Sequence, residues 1–303
     1  MTLSNTQLWS RWRERLADIS PLKAVVFVAL LTPALVQAGT LAFGPPLAQP
    51  VTNTIHMLGD WAVYFLMATL AITPLRQISA WPRLIIVRRM IGVTAFFYAL
   101  AHVIAYVIDN NFNLPHVLSE IALRTYLTIG AAGVVILAVL AATSTTSMVR
   151  RLGGKAWQRL HRIVYLAAFV AVIHFFLQSK EDVWTPTLVA GIAGWLLLYR
   201  LVLWTKGSAV AARPLTVFAI TVIATLGTGL VECLYLLYKF GAPLQATIAM
   251  QFDIAPPGPR PALVLAAMGL PVVALAIWRQ GLFGATSQAR PLSGWQAVRR
   301  GEA

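Results

Sequence analysis

Residues 159–177 read RLHRIVYLAAFVAVIHFFL, an apolar stretch with His161 near its start and His174 near its end. His102 lies inside a second apolar run, at 91–109. Imidazole is costly to place in hydrocarbon, so histidines at such positions are candidates for chemistry. In one continuous helix, thirteen residues at about 1.5 Å each separate His161 from His174 by roughly 20 Å. Ligands so spaced suit a protein that holds heme across a membrane. A buried zinc would want further N, S or O donors, and the outer halves of these two runs offer no cysteine and only Asp109 as a carboxylate. The plainer alternative for each histidine taken singly is a hydrogen bond between helices.

The elements that would position these side chains are apolar runs of about 17 to 25 residues, the length that spans a bilayer as a helix. Eight are legible: 22–42, 55–74, 91–109, 125–143, 159–177, 185–203, 214–237 and 261–278. Every second connection is basic. Arg11, Arg13, Arg15 and Lys23 precede the first run, and Arg76, Arg83, Arg88 and Arg89 follow the second. Arg150, Arg151, Lys155, Arg159 and Arg162 follow the fourth; Arg200, Lys206 and Arg213 surround the next such turn; Arg279, Arg290, Arg299 and Arg300 close the chain. That places 20 of the 24 Lys and Arg on one side, leaving Arg124, Lys180, Lys239 and Arg260 on the other. The positive-inside rule then predicts a multi-pass bacterial inner-membrane protein with both termini cytoplasmic. The net charge of +14, which in a soluble chain would suggest nucleic acid, is read as topology charge instead.

Odd-numbered runs then lead outward. His102 and His174 fall in the outer halves of the third and fifth, at similar depth on helices of the same direction. That is what a bis-histidine b-type heme requires, with axial ligands approaching from opposite faces. His161 belongs to the inner rim, where its counterparts on the third run are Arg88 and Arg89. Arginine cannot ligate iron but can pair with heme propionates or a flavin phosphate. At 100° per residue, His161 and His174 stand about 140° apart on an ideal helix, which predicts two stacked positions rather than one shared site. His56 opens the second run with Asp60 one turn on; it is either a cofactor residue oriented by that carboxylate or an interfacial side chain. His116, in NNFNLPHVLSE, is read as a solvated outer-loop residue.

The remaining composition bounds the answer. The chain is 58% hydrophobic and 11% charged, against roughly 25% charged in soluble domains. Cys233 is the single cysteine, which excludes an internal disulfide and a multi-cysteine metal site; it is read as a core residue. The basic start has the shape of a signal peptide, but VQA at 36–38 is a weak cleavage site, so the first run is read as retained. No repeat of fixed period and no glycine-rich phosphate loop is present. No stretch is long enough to bury a soluble core of its own, so soluble catalysis would come from a partner.

Several segments resemble one family. RRLGGKAWQRLHRIVYLAAFVAVIH at 150–174 and RLIIVRRMIGVTAFFYALAHVIAY at 83–106 are similar to the fifth and third helices of the MsrQ (YedZ) family, the heme-binding membrane subunit of the bacterial methionine sulfoxide reductase system. HMLGDWAVYFL (56–66), ITPLRQ (72–77), TYLTIG (125–130) and TSTTSMVRRLG (143–153) fit its other helices and loops in order. The resemblance covers roughly 20–205 and implies the ferric-reductase-like transmembrane superfamily: an all-α, polytopic membrane helix bundle with a six-helix heme-binding core. It further implies heme b associated with His102, His161 and His174, bound FMN, and electrons from the quinone pool or a cytoplasmic flavin reductase. The implied partner is a periplasmic molybdopterin-containing methionine sulfoxide reductase, which repairs oxidised periplasmic proteins; the membrane subunit is not an enzyme on its own. The expected organisation is a cytoplasmic segment at 1–20, the heme domain at 21–205, and an extension at 206–303 with two additional C-terminal transmembrane helices. Family members typically end after the sixth helix. Glu232, inside the seventh run, is either a proton or quinone site or a residue that pairs with a neighbouring helix or sits near the interface. The rival readings are another b-type cytochrome or ferric reductase, and a proton-coupled transporter, though no inverted repeat supports the latter.

Overall fold

The computed structural model describes residues 20–179, 182–254 and 258–287, the last six of these by backbone alone. The predicted basic residues at 11–15 and 290–300, Lys180, and the predicted N-terminal segment other than Ser20 lie outside the described residues. Among the described residues, eight helices are long and apolar enough to cross a membrane, with mean hydropathies between 1.5 and 2.2. They are α1 (Pro21–Phe43), α2 (Pro50–Ile78), α3 (Ile85–Asp109), α4 (Thr125–Ala142), α5 (Val164–Gln178, whose spanning stretch begins at Gly154), α6 (Trp184–Lys206), α7 (Pro214–Phe240) and α8 (Pro261–Ser287). The chain is thus an all-α polytopic membrane bundle. Its outward faces carry large apolar side chains, such as Leu35 at 65% and Leu226 at 68% exposure; in water this would be a liability, and in lipid it is a solvated surface.

Start and stop signals are local. Pro21 and Pro214 open α1 and α7 at a position where a missing N–H costs nothing. Gly241 ends α7 in the left-handed region at φ 59°, a conformation glycine enters without steric penalty.

Two expectations are corrected. The stretch 159–177 is not one continuous α-helix: Gly154–Leu160 is a separate turn of helix, joined to α5 through a 3-10 turn at His161–Ile163. The tighter i→i+3 winding changes the phase between His161 and His174 from that of an ideal helix. The outer segment around His116 is not a loop but a helix, Leu114–Leu123. Asn113 caps it by accepting the His116 N–H at 3.1 Å, and Pro115 lies in its first turn.

The chain divides into two compact units. The first comprises residues up to Ile72 and Arg83–Lys180; the second comprises Thr73–Pro82 and the residues from Glu181 on. In the first unit, α4 packs on both α3 and α5, and α1 packs on α3. Pro33 interrupts α1, and there the Tyr98 hydroxyl of α3 enters the helix ladder. It donates to the Leu30 carbonyl at 2.9 Å and accepts the Ala34 N–H at 3.1 Å. In the second unit α6, α7 and α8 pack on one another. Trp195 donates to the Thr221 hydroxyl at 3.0 Å. Gly191 lies against Thr228 and Leu265, and Gly269 against Thr221; small residues at such crossings let backbones approach.

Candidate functional site

The first unit brings His102 and His174 together. Their rings lie 6.5 Å apart between centres at an interplanar angle of 82°, and both side chains are half-buried. Each ring is tied at Nδ1. His102 Nδ1 donates to the Ile55 carbonyl of α2 at 2.8 Å, and His174 Nδ1 donates to the Tyr126 carbonyl of α4 at 2.8 Å. A carbonyl can only accept, so each Nδ1 carries the proton and each Nε2 keeps its lone pair. Four helices therefore contribute: α3 and α5 carry the imidazoles, and α2 and α4 orient them.

The separation would accommodate a metal held between the two rings. Two metal–nitrogen bonds of about 2 Å, plus the reach from each Nε2 to its ring centre, sum to about 6 Å. Among the described residues no group of three or more His, Cys, Asp and Glu could hold a metal ion. Two nitrogens alone suit a metal whose other ligands come from a macrocycle, not a bare cation. Glycines border both rings, Gly59 beside His102 and Gly130 beside His174, so no side chain fills the space there.

His161 is held differently. The Thr143 hydroxyl lies 2.7 Å from the Val139 carbonyl and shares a hydrogen bond with His161 Nε2 at 3.1 Å. The imidazole also stacks on Trp157, with centres 3.8 Å apart and planes 26° from parallel, and the Trp157 indole donates to the Thr143 carbonyl at 2.8 Å. Arg88 and Arg89 lie within electrostatic reach of this ring. The structure thus groups His161 with the arginine pair and leaves it apart from His102 and His174. His56 is exposed and within electrostatic reach of Asp60 and of His102. His116 is exposed on its short helix.

In the second unit Glu232 is fully buried. It pairs with Arg260 and accepts from Gln251 Nε2 at 3.0 Å, both in the segment between α7 and α8. Cys233 is buried beside it and donates to the Thr247 carbonyl at 3.5 Å. Sequence reasoning missed Thr143, Trp157, Gly59 and Gly130. The glycines carried a signal, since a glycine inside an apolar helix marks close approach.

These features define a class first: a helical membrane protein built around paired intramembrane histidines. Residues 58–172 match the family described as ferric reductase like transmembrane component. The chain is also similar to curated proteins named protein-methionine-sulfoxide reductase heme-binding subunit MsrQ. It is 42% identical to that of Rhodospirillum rubrum over 63% of this chain and 89% of the relative. Identity to that of Herminiimonas arsenicoxydans is 40%, over 62% and 87%, and to that of Azospira oryzae 33%, over 69% and 94%. The chain belongs to the MsrQ family. No solved structure matches it.

Proposed function

We propose that this chain is the heme-binding electron-transfer subunit of a methionine sulfoxide reductase system in a bacterial inner membrane, with both termini cytoplasmic. The observation that carries the reading is the His102–His174 pair, two imidazoles with ring centres 6.5 Å apart, each bonded through Nδ1 to a carbonyl so that its Nε2 keeps a lone pair a heme iron could take. Membership of the MsrQ family, whose relatives are named as heme-binding subunits, supports it. Within this reading His102 and His174 hold a b-type heme, which when bound supplies one-electron carrier chemistry. Ile55 and Tyr126 fix the tautomers through their carbonyls. Arg88, Arg89 and His161 form the inner position, where guanidinium groups suit heme propionates, the phosphate of FMN or the acidic surface of a reductase. His161 adds an aromatic surface there, and His56 borders the outer position.

The electron donor in this reading is the quinone pool or a cytoplasmic flavin source. The acceptor is a periplasmic molybdopterin-containing methionine sulfoxide reductase, and the process is repair of oxidised periplasmic proteins. The heme domain is residues 21–205, with 206–303 as an extension.

The absorption spectrum of the purified full chain tests this. A Soret band with sharp reduced α and β bands is expected, and a colourless protein overturns the proposal. His102→Ala and His174→Ala should each abolish the outer low-spin signal, while His161→Ala leaves most of it. Equal loss in all three, with the protein folded, contradicts the separation of an outer and an inner position.

A further inference from the structure

Ile55 and Gly59 stand four residues apart on α2, and Tyr126 and Gly130 stand four apart on α4. In each pair the first residue's carbonyl receives the Nδ1 proton of a site histidine from another helix, and the second is a glycine facing that same ring. The repetition has a physical reason. A helical carbonyl already serves the N–H four residues on, and its second lone pair lies beside the side chain of that same residue. Thr32, Thr40, Thr54 and Thr69 show this, each donating its hydroxyl to the carbonyl four residues earlier at 2.8 to 2.9 Å. At Gly59 and Gly130 no side chain stands there. A Cβ would lie 3.1 Å from His102 Nδ1 at Gly59, but 2.7 Å from His174 Cε1 and 2.8 Å from its Nδ1 at Gly130.

We infer that Gly59 and Gly130 are positioning residues, each opening a helix carbonyl to an imidazole from elsewhere and thereby holding the tautomer that leaves Nε2 free for a metal. The inference rests on the proposed heme reading. It is graded: a methyl group at Gly130 must move His174, whereas at Gly59 His102 need give only a few tenths of an ångström. Gly133, one turn further along α4, is the control. Its Cβ would meet only Val170 Cγ1 at 3.4 Å, an ordinary contact, while the change in helix propensity is the same.

The test compares Gly59→Ala, Gly130→Ala and Gly133→Ala in the full-length protein by optical and electron paramagnetic resonance spectra and by reductive titration. Gly133→Ala should match the wild type. Gly130→Ala should lose the low-spin signal and regain it on addition of free imidazole, which fills a coordination position the displaced ring has left. Gly59→Ala should stay low-spin with a shifted reduction potential. A Gly130→Ala protein with the spectrum and potential of Gly133→Ala overturns the inference, and so does a loss that imidazole does not restore. Should Gly130→Ala not accumulate, Gly59→Ala decides, and an unshifted potential overturns the inference. A wild-type protein without heme overturns the underlying reading instead, so the two failures are distinguishable.

Discussion

His102, His174 and His161 are held through different ring nitrogens. His102 and His174 give their Nδ1 protons to backbone carbonyls; His161 Nε2 is hydrogen-bonded to the Thr143 hydroxyl. The nitrogen that reaches furthest from the chain is therefore open in the first two and engaged in the third. Thr143→Val removes that hydroxyl while leaving the Trp157 bond to the Thr143 backbone carbonyl in place. The expected result is a loss of about 1 kcal/mol in stability, read as a lower thermal midpoint in detergent, with the outer low-spin spectrum unchanged. A changed outer spectrum would show that the two positions are coupled. The histidines were legible in the sequence because an imidazole stands out in an apolar run. The tautomers of His102 and His174 were not, because their acceptors are backbone carbonyls of apolar segments on other helices.

At the scale of elements, the interruptions matter more than the helices. Pro33 lacks an N–H and its ring crowds the carbonyl of the preceding turn, and α1 continues because Tyr98 bridges Leu30 and Ala34 across the gap. Tyr98→Phe keeps the edge-to-face contact with Phe65, 5.1 Å between ring centres, but leaves that carbonyl and that N–H without the bridge. The expected cost is about 1–3 kcal/mol, seen as a lower unfolding midpoint in detergent; an unchanged midpoint would mean that another group repairs the ladder. The 3-10 turn at His161–Ile163 is the second interruption. Apolar periodicity could not reveal it, because RIVYLAAF reads equally well with either winding. The short helix at Leu114–Leu123 was masked in a different way, since Asn113 and Pro115 are both turn residues and helix-start residues.

For the whole molecule, two features stand out: a charge asymmetry, and a chain longer than its relatives need. The Rhodospirillum rubrum relative aligns over 63% of this chain. Beyond the sixth run α7 and α8 pack with α6 in the second unit, and Glu232, Arg260 and Gln251 bind the segment between them to α7. The proposed orientation is read from the basic connections and is tested by labelling. Ser119 and Ser147 are exposed on opposite predicted sides, and Cys233 is buried, so it needs no removal. A membrane-impermeant thiol reagent added to intact spheroplasts should modify Ser119→Cys and spare Ser147→Cys. The reverse pattern would invert the topology and place the His102–His174 pair on the cytoplasmic side.

The sequence by itself determined the spans, their number and the sidedness they predict, because the cost of polar groups in hydrocarbon acts residue by residue and leaves a one-dimensional record. It also carried the family motifs and the candidate histidines. Only the tertiary structure decided which histidines meet, which nitrogen each presents, and that Glu232 is partnered. Those outcomes depend on where the carbonyls and side chains of other helices arrive, and a helix carbonyl is chemically the same whether it comes from isoleucine or tyrosine.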